Sequence, residues 1–157
     1  MEEKGELIIT SLQRRAMPMI RYRTKDITRL RREQCACGRT LIVMDKITGR
    51  FDDMLIISGV NVFPSQVESV IMEFEEMEPH YLIRVFKKGY LDAISVEAET
   101  KEEIYAEGAE FLDQLAKKIM ERFHQIIGIR VPVTIAPFNS IARSEGKARR
   151  VIDERNR

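Results

Sequence analysis

The sequence lacks the cysteine density of a disulfide-rich protein and the long apolar runs of a membrane protein. Of its 157 residues, only two are cysteine, which is too few for a disulfide framework. Histidine is equally rare, with two residues. No apolar run approaches the roughly 20 residues that a membrane-spanning helix needs. The acidic start, MEEKGELIIT, lacks the basic residues and the apolar stretch of a secretory signal peptide. We therefore expect a cytoplasmic protein that does not enter a membrane.

A strong excess of basic charge is also missing, which argues against nucleic-acid binding. The net charge is +1, although residues 1–50 and 143–157 are net basic and residues 51–142 are net acidic. The basic segments RYR, RLRR and KARR come with two candidate stacking rings, Tyr22 and Phe51. No aromatic RNA-binding motif lies on a predicted strand, however. The uneven charge suits either a phosphate-bearing ligand that contacts both ends of the chain or a solvated surface.

The two cysteines, Cys35 and Cys37, lie together in QCACGRT. Zinc usually takes four ligands, and two further ligands are absent nearby, since the two histidines are the distant His80 and His124. Two interpretations stay open: half of a zinc site that is completed elsewhere, and a small buried turn. We expect the turn and no metal site.

Hydrophobic residues make up 44% of the chain and charged residues 32%, a balance typical of a folded domain. Residues 5–50 contain three short alternating segments, GELIIT, MIRYRT and ITRL, which predict β-strands. So few short strands with exposed edges do not make a stable domain by themselves. We expect this part to belong to a larger β-unit, and its exposed edges predict a homodimer.

Residues 54–135 predict a small α+β module with the order β-α-β-β-α-β, as in ferredoxin-like folds. MLII is a buried strand, and Pro64 opens a helix to about Phe74 in which Ser65 and Glu68 form a capping box. The hairpin YLIRVFKKGYLDAISVEAE turns at KKGY, and VPVTIA is the last strand. Between them, residues 102–127 predict one long helix. Its apolar face has three- and four-residue spacing: Ile104, Gly108, Phe111, Leu112, Leu115, Ile119, Phe123 and Ile126.

The tail NSIARSEGKARRVIDERNR carries a glycine–lysine pair, Gly146 and Lys147, in a short polar loop. A lysine on such a loop is a positive point charge suited to a carboxylate or phosphate oxygen. The alternative is a surface lysine in a basic tail. The segment is not a Walker-type phosphate loop, because GxxxxGK[ST] is not met.

Three separated segments, RYRTKDITRL, ITGRFDDMLIISGVNVFPSQVE and SIARSEGKARRVID, resemble the last three conserved motifs of adenylate-forming enzymes. This superfamily includes the acyl-CoA synthetases, the adenylation domains of peptide synthetases, and luciferase. Three segments are most similar to those of the phenylacetate–coenzyme A ligases: CACGRT just before ITGR, SGVNVFPSQVE, and RSEGKARRV. The resemblance runs from Gly5 to Asp153.

The resemblance implies an acid–thiol ligase that binds ATP with Mg²⁺, a small carboxylic acid such as phenylacetate, and coenzyme A. The carboxylate attacks the α-phosphorus to give an acyl-adenylate and pyrophosphate, and the thiol of coenzyme A then displaces AMP. The family's phosphate loop, adenine-contacting motif and acid pocket lie in a large N-terminal domain and have no counterpart here. We therefore expect a C-terminal fragment that is inactive alone, with residues 1–50 ending the large domain and residues 51–157 forming the mobile C-terminal domain.

The same resemblance implies roles for particular residues. Asp26, in RTKD, matches the aspartate that holds the ribose hydroxyls, and Arg50, in GRFDD, matches an arginine that contacts the nucleotide. Lys147 matches the lysine that bridges carboxylate and phosphate oxygens during adenylation. Asp52 matches the hinge between the two domains. The loop that faces the active site for thioester formation and lines the pantetheine tunnel is matched by Ser58, Gly59, Val60 and Asn61.

The competing interpretation is a non-catalytic module of ferredoxin-like fold that binds a small ligand or dimerises through its sheet. In that case Asp52 and Lys147 would be dispensable, and residues 54–135 would suffice.

Overall fold

The computed structural model describes residues 3–33, 36–143 and 150–155. The chain divides into two compact units, Met1–Met54 and Leu55–Arg157. The domain boundary predicted between residues 50 and 51 stays a prediction. Among the described residues, no helix combines the length and apolar character needed to cross a membrane.

The first unit is an antiparallel sheet built around one long strand. Its strands are β1 (Lys4–Ile9), β2 (Tyr22–Arg31), β3 (Val43–Met44) and β4 (Gly49–Arg50), and a 3₁₀-helix, Phe51–Asp53, follows. Strand β2 pairs with all three others. In the described part of this unit Thr28 is the only buried residue, so the sheet has little core of its own.

The segments MIRYRT and ITRL, predicted as separate strands, contribute to the single strand β2. An irregularity lies between them: Lys25 has a φ of 65°, and the register with β1 shifts between Glu6 and Ile8. A residue with positive φ interrupts the alternation of a strand, which is why the pattern reads as two pieces.

The second unit is an α+β domain, which confirms the predicted fold class. Its elements are β5 (Leu55–Ile57), β6 (Val60–Val62), α1 (Pro64–Ile71), β7 (Met77–Lys88), β8 (Leu91–Thr100), α2 (Glu102–Tyr105), α3 (Ala109–Ile127), β9 (Val133–Ala136) and β10 (Val151–Asp153). Four strands form one sheet in the order β10-β7-β8-β9. The central pair is antiparallel, and both outer strands are parallel to their neighbours.

The core lies on one face of this sheet. Alternate residues of β7 and β8 point into it, as the two-residue period of a strand requires. These are Tyr81, Ile83, Val85, Ile94, Val96 and Ala98. Helix α1 contributes Val67, Val70 and Ile71, and α3 contributes Leu115, Ile119, Phe123 and Ile127.

MLII is a strand and its Ile57 is buried in the core, as predicted, but the strand does not belong to the main sheet. It pairs with VNV as the hairpin β5–β6, outside the four-stranded sheet, and Ile56 is 53% exposed. Ser58 and Gly59 both have positive φ, 48° and 85°, so the chain reverses at once. The fourth strand of the sheet is instead β10, from the tail, which the sequence analysis did not predict.

The start of α1 was predicted with the wrong capping residues. Phe63 is the N-cap, and its backbone N–H donates to Oε1 of Gln66 at 2.9 Å. Pro64 follows as the first helical residue, where its missing N–H costs nothing. Ser65 and Glu68 therefore lie inside the helix and form no capping box. The helix ends at Ile71.

The long helix predicted over residues 102–127 is two helices, α2 and α3. Gly108 separates them with a φ of 98°, a value that only glycine adopts readily. Two residues assigned to the apolar face, Phe111 and Ile126, are 37% and 39% exposed, whereas Ile127 is buried.

Candidate functional site

In the first unit, charged side chains gather where β2 meets β4 and the 3₁₀-helix; we call Lys25, Asp26, Arg50 and Asp52 the charged cluster. Asp26 and Arg50 are directly opposite each other in the antiparallel pairing, a register that places two Cβ atoms about 5 Å apart. The Asp26 Oδ1 atom lies 3.9 Å from Nε of Arg50. The backbone N–H of Asp26 donates to Oγ1 of Thr24 at 3.1 Å.

Asp52 is held by two cations from different elements. Lys25 Nζ donates to Asp52 Oδ2 at 3.1 Å, and Arg50 Nε lies 3.2 Å from Asp52 Oδ1. The hydrogen bond from Lys25, helped by the charge of Arg50, keeps the pKa of the Asp52 carboxyl below its usual value. The Asp52 carboxyl therefore stays ionised at a lower pH than the carboxyl of a free aspartate does.

Arg50 keeps an unused donor in this cluster. Its buried Nε–H has no hydrogen-bond acceptor among the described residues, although carboxylate oxygens of Asp26 and Asp52 lie within ion-pair distance. A buried N–H without an acceptor costs free energy, and an oxygen-rich ligand would remove that cost. The described residues contain no group of carboxylates, histidines or cysteines placed to share a metal ion.

In the second unit, the turn Ser58–Gly59 at the end of the β5–β6 hairpin is fastened to the neighbouring strand. Ser58 Oγ donates to the carbonyl oxygen of Asp92 at 2.7 Å. Arg155 Nη1 donates to Asp92 Oδ2 at 2.9 Å and to the carbonyl oxygen of Ile56 at 3.2 Å. Arg155 also lowers the pKa of Asp153 to about 2 through hydrogen bonds. Gly59 has open space around its Cα, and Asn61 is exposed.

The structure thus brings together three residues predicted from the sequence: Asp26, Arg50 and Asp52. The four residues predicted for the pantetheine path lie together in the turn between β5 and β6 and at the start of β6: Ser58, Gly59, Val60 and Asn61. Lys147 and Cys35 lie outside the described residues. Cys37 is exposed, as are its neighbours in residues 36–40, so the expected burial of this turn is wrong for the described part. The site roles of all these residues stay predictions.

Sequence reasoning missed Lys25 as a member of the charged cluster. In a regular strand its side chain would point away from that of its neighbour Asp26. The positive φ of Lys25 breaks this alternation and lets the ammonium reach Asp52. The sequence carries no signal for it, because lysine seldom adopts such a φ.

It also missed Glu99, a carboxylate in the second unit with no exposed surface. Glu99 accepts hydrogen bonds from the backbone N–H groups of Asn139 and Ile141, at 3.2 and 2.6 Å, and from Nη2 of Arg143, at 2.8 Å. Burial raises the pKa of Glu99, but these donors together hold it below its usual value. The alternation in SVEAET places Glu99 on the polar face of its strand, so the sequence predicts a solvated residue.

The chain is similar in sequence to known proteins. The model of the AMP-binding enzyme C-terminal domain family matches residues 59–155. Over 98% of its length the chain is 48% identical to the phenylacetate-coenzyme A ligase of Escherichia coli, and over 96% it is 42% identical to that of Thermus thermophilus. These matches cover 35% and 37% of the two relatives, so the chain spans about a third of their length.

The chain is also similar to solved structures of such enzymes. A 2-hydroxyisobutyryl-CoA ligase in the postadenylation state, with R3-HIB-AMP bound, matches 98% of this chain and 33% of its own, with a TM-score of 0.86 and 32% identity. A structure of the same ligase with 2-HIB-AMP and CoA gives a TM-score of 0.64. A domain of phenylacetate-coenzyme A ligase from Bacteroides vulgatus, 31% identical, is covered over 94% of its length and matches 66% of this chain, with a TM-score of 0.60.

Proposed function

The chain belongs to the AMP-binding enzyme C-terminal domain family, and from that premise we propose that it is the C-terminal part of an ATP-dependent aryl acid–coenzyme A ligase. The complete enzyme would convert phenylacetate, ATP and coenzyme A to phenylacetyl-CoA, AMP and pyrophosphate. The observation that carries the proposal is identity of 39–48% with four curated phenylacetate-coenzyme A ligases over 96–98% of this chain.

In the first half-reaction, ATP binds with its magnesium ion and the acid attacks the α-phosphorus. Asp26, as an ionised carboxylate, would accept hydrogen bonds from the ribose hydroxyls. Arg50 would donate its unused Nε–H to the nucleotide. Lys147 would stabilise negative charge as it develops between the carboxylate and the phosphate. The chain's contribution to adenylation is thus positioning and charge.

In the second half-reaction, the thiol of coenzyme A displaces AMP from the acyl-adenylate. The turn Ser58–Gly59, with Val60 and Asn61, would line the path of the pantetheine arm. Asp52 would be the hinge at which the C-terminal domain turns between the two half-reactions. A hinge needs only a few residues that absorb the change in backbone angles.

ATP–pyrophosphate exchange with phenylacetate tests this proposal. The assay compares the chain alone with the chain joined to the remaining N-terminal portion of the Escherichia coli relative. We expect exchange only in the joined protein. Lys147→Ala should lower it about 100-fold, since removing one preorganised donor to a developing charge commonly costs that much. A series of acids in the same assay defines the substrate.

A folded joined protein without exchange activity would contradict the ligase proposal. The non-catalytic binding or dimerisation module would then be the better interpretation. Exchange that survives Lys147→Ala would instead contradict the role of Lys147 and leave the ligase assignment standing.

The homodimer and the cytoplasmic location belong to the same proposal. Strand β1 lies at an edge of its sheet, and its residues Ile8 and Ile9 are exposed, which favours pairing with a second copy. Light scattering of the 157-residue chain at high concentration should give the mass of a dimer, and a monomer would contradict the pairing. ATP and coenzyme A are cytoplasmic substrates, which supports the location.

A further inference from the structure

The turn Ser58–Gly59 projects from the β5–β6 hairpin, which lies outside the four-stranded sheet. The hairpin packs on the core through Ile57 and Val62, which are buried, but Ser58 and Gly59 are exposed. Ser58 also has a φ of 48°, which a residue with a side chain keeps only when its surroundings impose it. Apolar packing does not reach the turn, so its conformation depends on polar contacts.

Arg155 supplies a polar link between this hairpin and the main sheet. Its Nη1 donates to the carbonyl oxygen of Ile56 in β5 at 3.2 Å and to Asp92 Oδ2 in β8 at 2.9 Å. The carbonyl oxygen of Asp92 accepts from Ser58 Oγ at 2.7 Å. Asp92 thus receives the turn through its backbone and Arg155 through its side chain, and Arg155 closes the network on the other side of the turn.

Arg155 is itself held firmly by the sheet. Its Nε donates to Asp153 Oδ1 at 2.9 Å, and its Nη2 pairs with Asp153 Oδ2 at 2.5 Å. Asp153 is the strand partner of Val85 in β7, and the N–H of Glu154 donates to the carbonyl oxygen of Val85 at 2.7 Å. The backbone that carries Arg155 is therefore fixed without help from its side chain.

The guanidinium of Arg155 bridges parts of the chain and is poorly placed to bind a ligand. Each of its three nitrogens already donates to an acceptor of the chain, and its side chain is 23% exposed. The planar fork of arginine suits such a bridge, because it directs several N–H groups at acceptors on different elements. A substitution of Arg155 should therefore loosen the hairpin and leave the strands of the sheet in place.

We propose that Arg155 is a positioning residue for thioester formation, which fastens the β5–β6 hairpin to β8 and so holds the turn Ser58–Gly59 in place along the pantetheine path. The inference rests on the proposed function. A thiol must meet the acyl carbon at a defined distance and angle, and a misplacement of about 1 Å can cost about 100-fold in rate. Adenylation needs no coenzyme A, so loss of Arg155 should affect the two half-reactions unequally.

The test uses the joined protein with Arg155→Gln, and Arg84→Gln as the matched control. Glutamine lacks the charge and the fork that contact Asp92 and Ile56 together. We expect thioester formation from supplied phenylacetyl-adenylate and coenzyme A to fall about 10- to 100-fold, while ATP–pyrophosphate exchange changes less than about twofold. Arg84 also joins two carboxylates across this sheet, Glu97 and Glu154, but these bonds do not include the hairpin, so neither rate should change.

Pantetheine as the acceptor separates positioning from direct binding. It has the arm and thiol of coenzyme A but none of its phosphates. If Arg155 acts through the turn, Arg155→Gln should lower the rate by the same factor with either acceptor, and Arg155→Lys, which keeps the charge but not the fork, should restore part of it. A loss confined to coenzyme A would mean that Arg155 binds the phosphates directly and would overturn the proposal.

A further readout needs no activity and uses the 157-residue chain itself. The backbone amides of residues 58–61 should exchange hydrogen about 3- to 10-fold faster in Arg155→Gln, as expected for the loss of about one net hydrogen bond. Arg84→Gln should leave these amides unchanged. If Arg155→Gln does not fold, Asp92→Asn replaces it. This variant weakens the pair with Arg155 but keeps the carbonyl that accepts from Ser58, so a smaller and equally selective fall in thioester formation is expected.

Equal losses in both half-reactions would mean a general structural role and would overturn the proposal, as would unchanged thioester formation. Failure of the ligase proposal has a different signature, because the unsubstituted joined protein would then show no exchange. In that case the role of Arg155 in thioester formation falls as well, and the hydrogen-exchange rates show whether Arg155 fastens the turn.

Discussion

Replacing Phe123 with alanine should lower the free energy of unfolding of the second unit by about 3–5 kcal/mol. Phe123 has no exposed surface and is among the largest fully buried side chains of the described residues. It lies on the buried stripe of α3, with Leu115, Ile119 and Ile127. The alanine leaves a cavity that this close-packed layer fills only in part, so the lost transfer free energy and the cavity both count.

Hydrogen exchange of the amides in β7 and β8 measures this change, because these central strands open only when the second unit unfolds. A loss of about 3–5 kcal/mol corresponds to roughly 100- to 4,000-fold faster exchange. The matched control is Phe111→Ala on the same helix. Phe111 is 37% exposed, and its replacement should cost about 1 kcal/mol or less. Similar losses for both variants would contradict the described packing of α3.

The pair of phenylalanines shows what the sequence could predict about the fold and what it could not. The three- and four-residue spacing predicted a helix and correctly included Leu115, Ile119 and Phe123. It also included Phe111, because a period alone does not define where an apolar stripe ends. The break at Gly108 was missed, since glycine at a helical spacing is compatible with a continuous helix until its φ is known.

Contacts between residues far apart in sequence limited the prediction of sheet membership. MLII has the composition of a buried strand, but the turn at Ser58–Gly59 closes a hairpin before the chain can reach the main sheet. VID of β10 is only three residues long and lies in a charged tail, so no local pattern predicts it. Its place beside β7 depends on pairing with Ile83 and Val85, which lie far earlier in the chain.

The charged cluster was more predictable than the support around it. The motifs RTKD and GRFDD resemble those of a known family, and this resemblance predicted Asp26, Arg50 and Asp52 as site residues. The register of β2 with β4 then placed Asp26 and Arg50 opposite each other. The resemblance assigned no role to Lys25, although Lys25 lies in RTKD, and none to Glu99. Lys25 owes its position to a positive φ, and Glu99 owes its burial to a covering segment that begins 40 residues later.

Replacing Asp26 with asparagine should lower kcat/KM for ATP in pyrophosphate exchange by about 100- to 10,000-fold in the joined protein. The carboxylate is proposed to accept two hydrogen bonds from the ribose, and each charge-assisted hydrogen bond contributes about 1.5–3 kcal/mol. Asp53→Asn is the matched control. Its carboxylate is 4.0 Å from Arg50 Nε, and its side chain is 58% exposed, so this pair contributes less than about 1 kcal/mol.

A large loss in the Asp26→Asn variant does not by itself separate direct contact with the ribose from an effect through Arg50, its strand partner. ATP analogues that lack the 2′- or the 3′-hydroxyl make that separation. If Asp26 binds the hydroxyls, the substitution and the missing hydroxyl remove the same interaction, and their free-energy costs should be far from additive. If Asp26 only orients Arg50, each analogue should lose as much activity in the variant as in the unsubstituted protein, and the costs should add. Additive costs would therefore assign Asp26 to the support of Arg50 and leave the ribose to other residues of the joined protein.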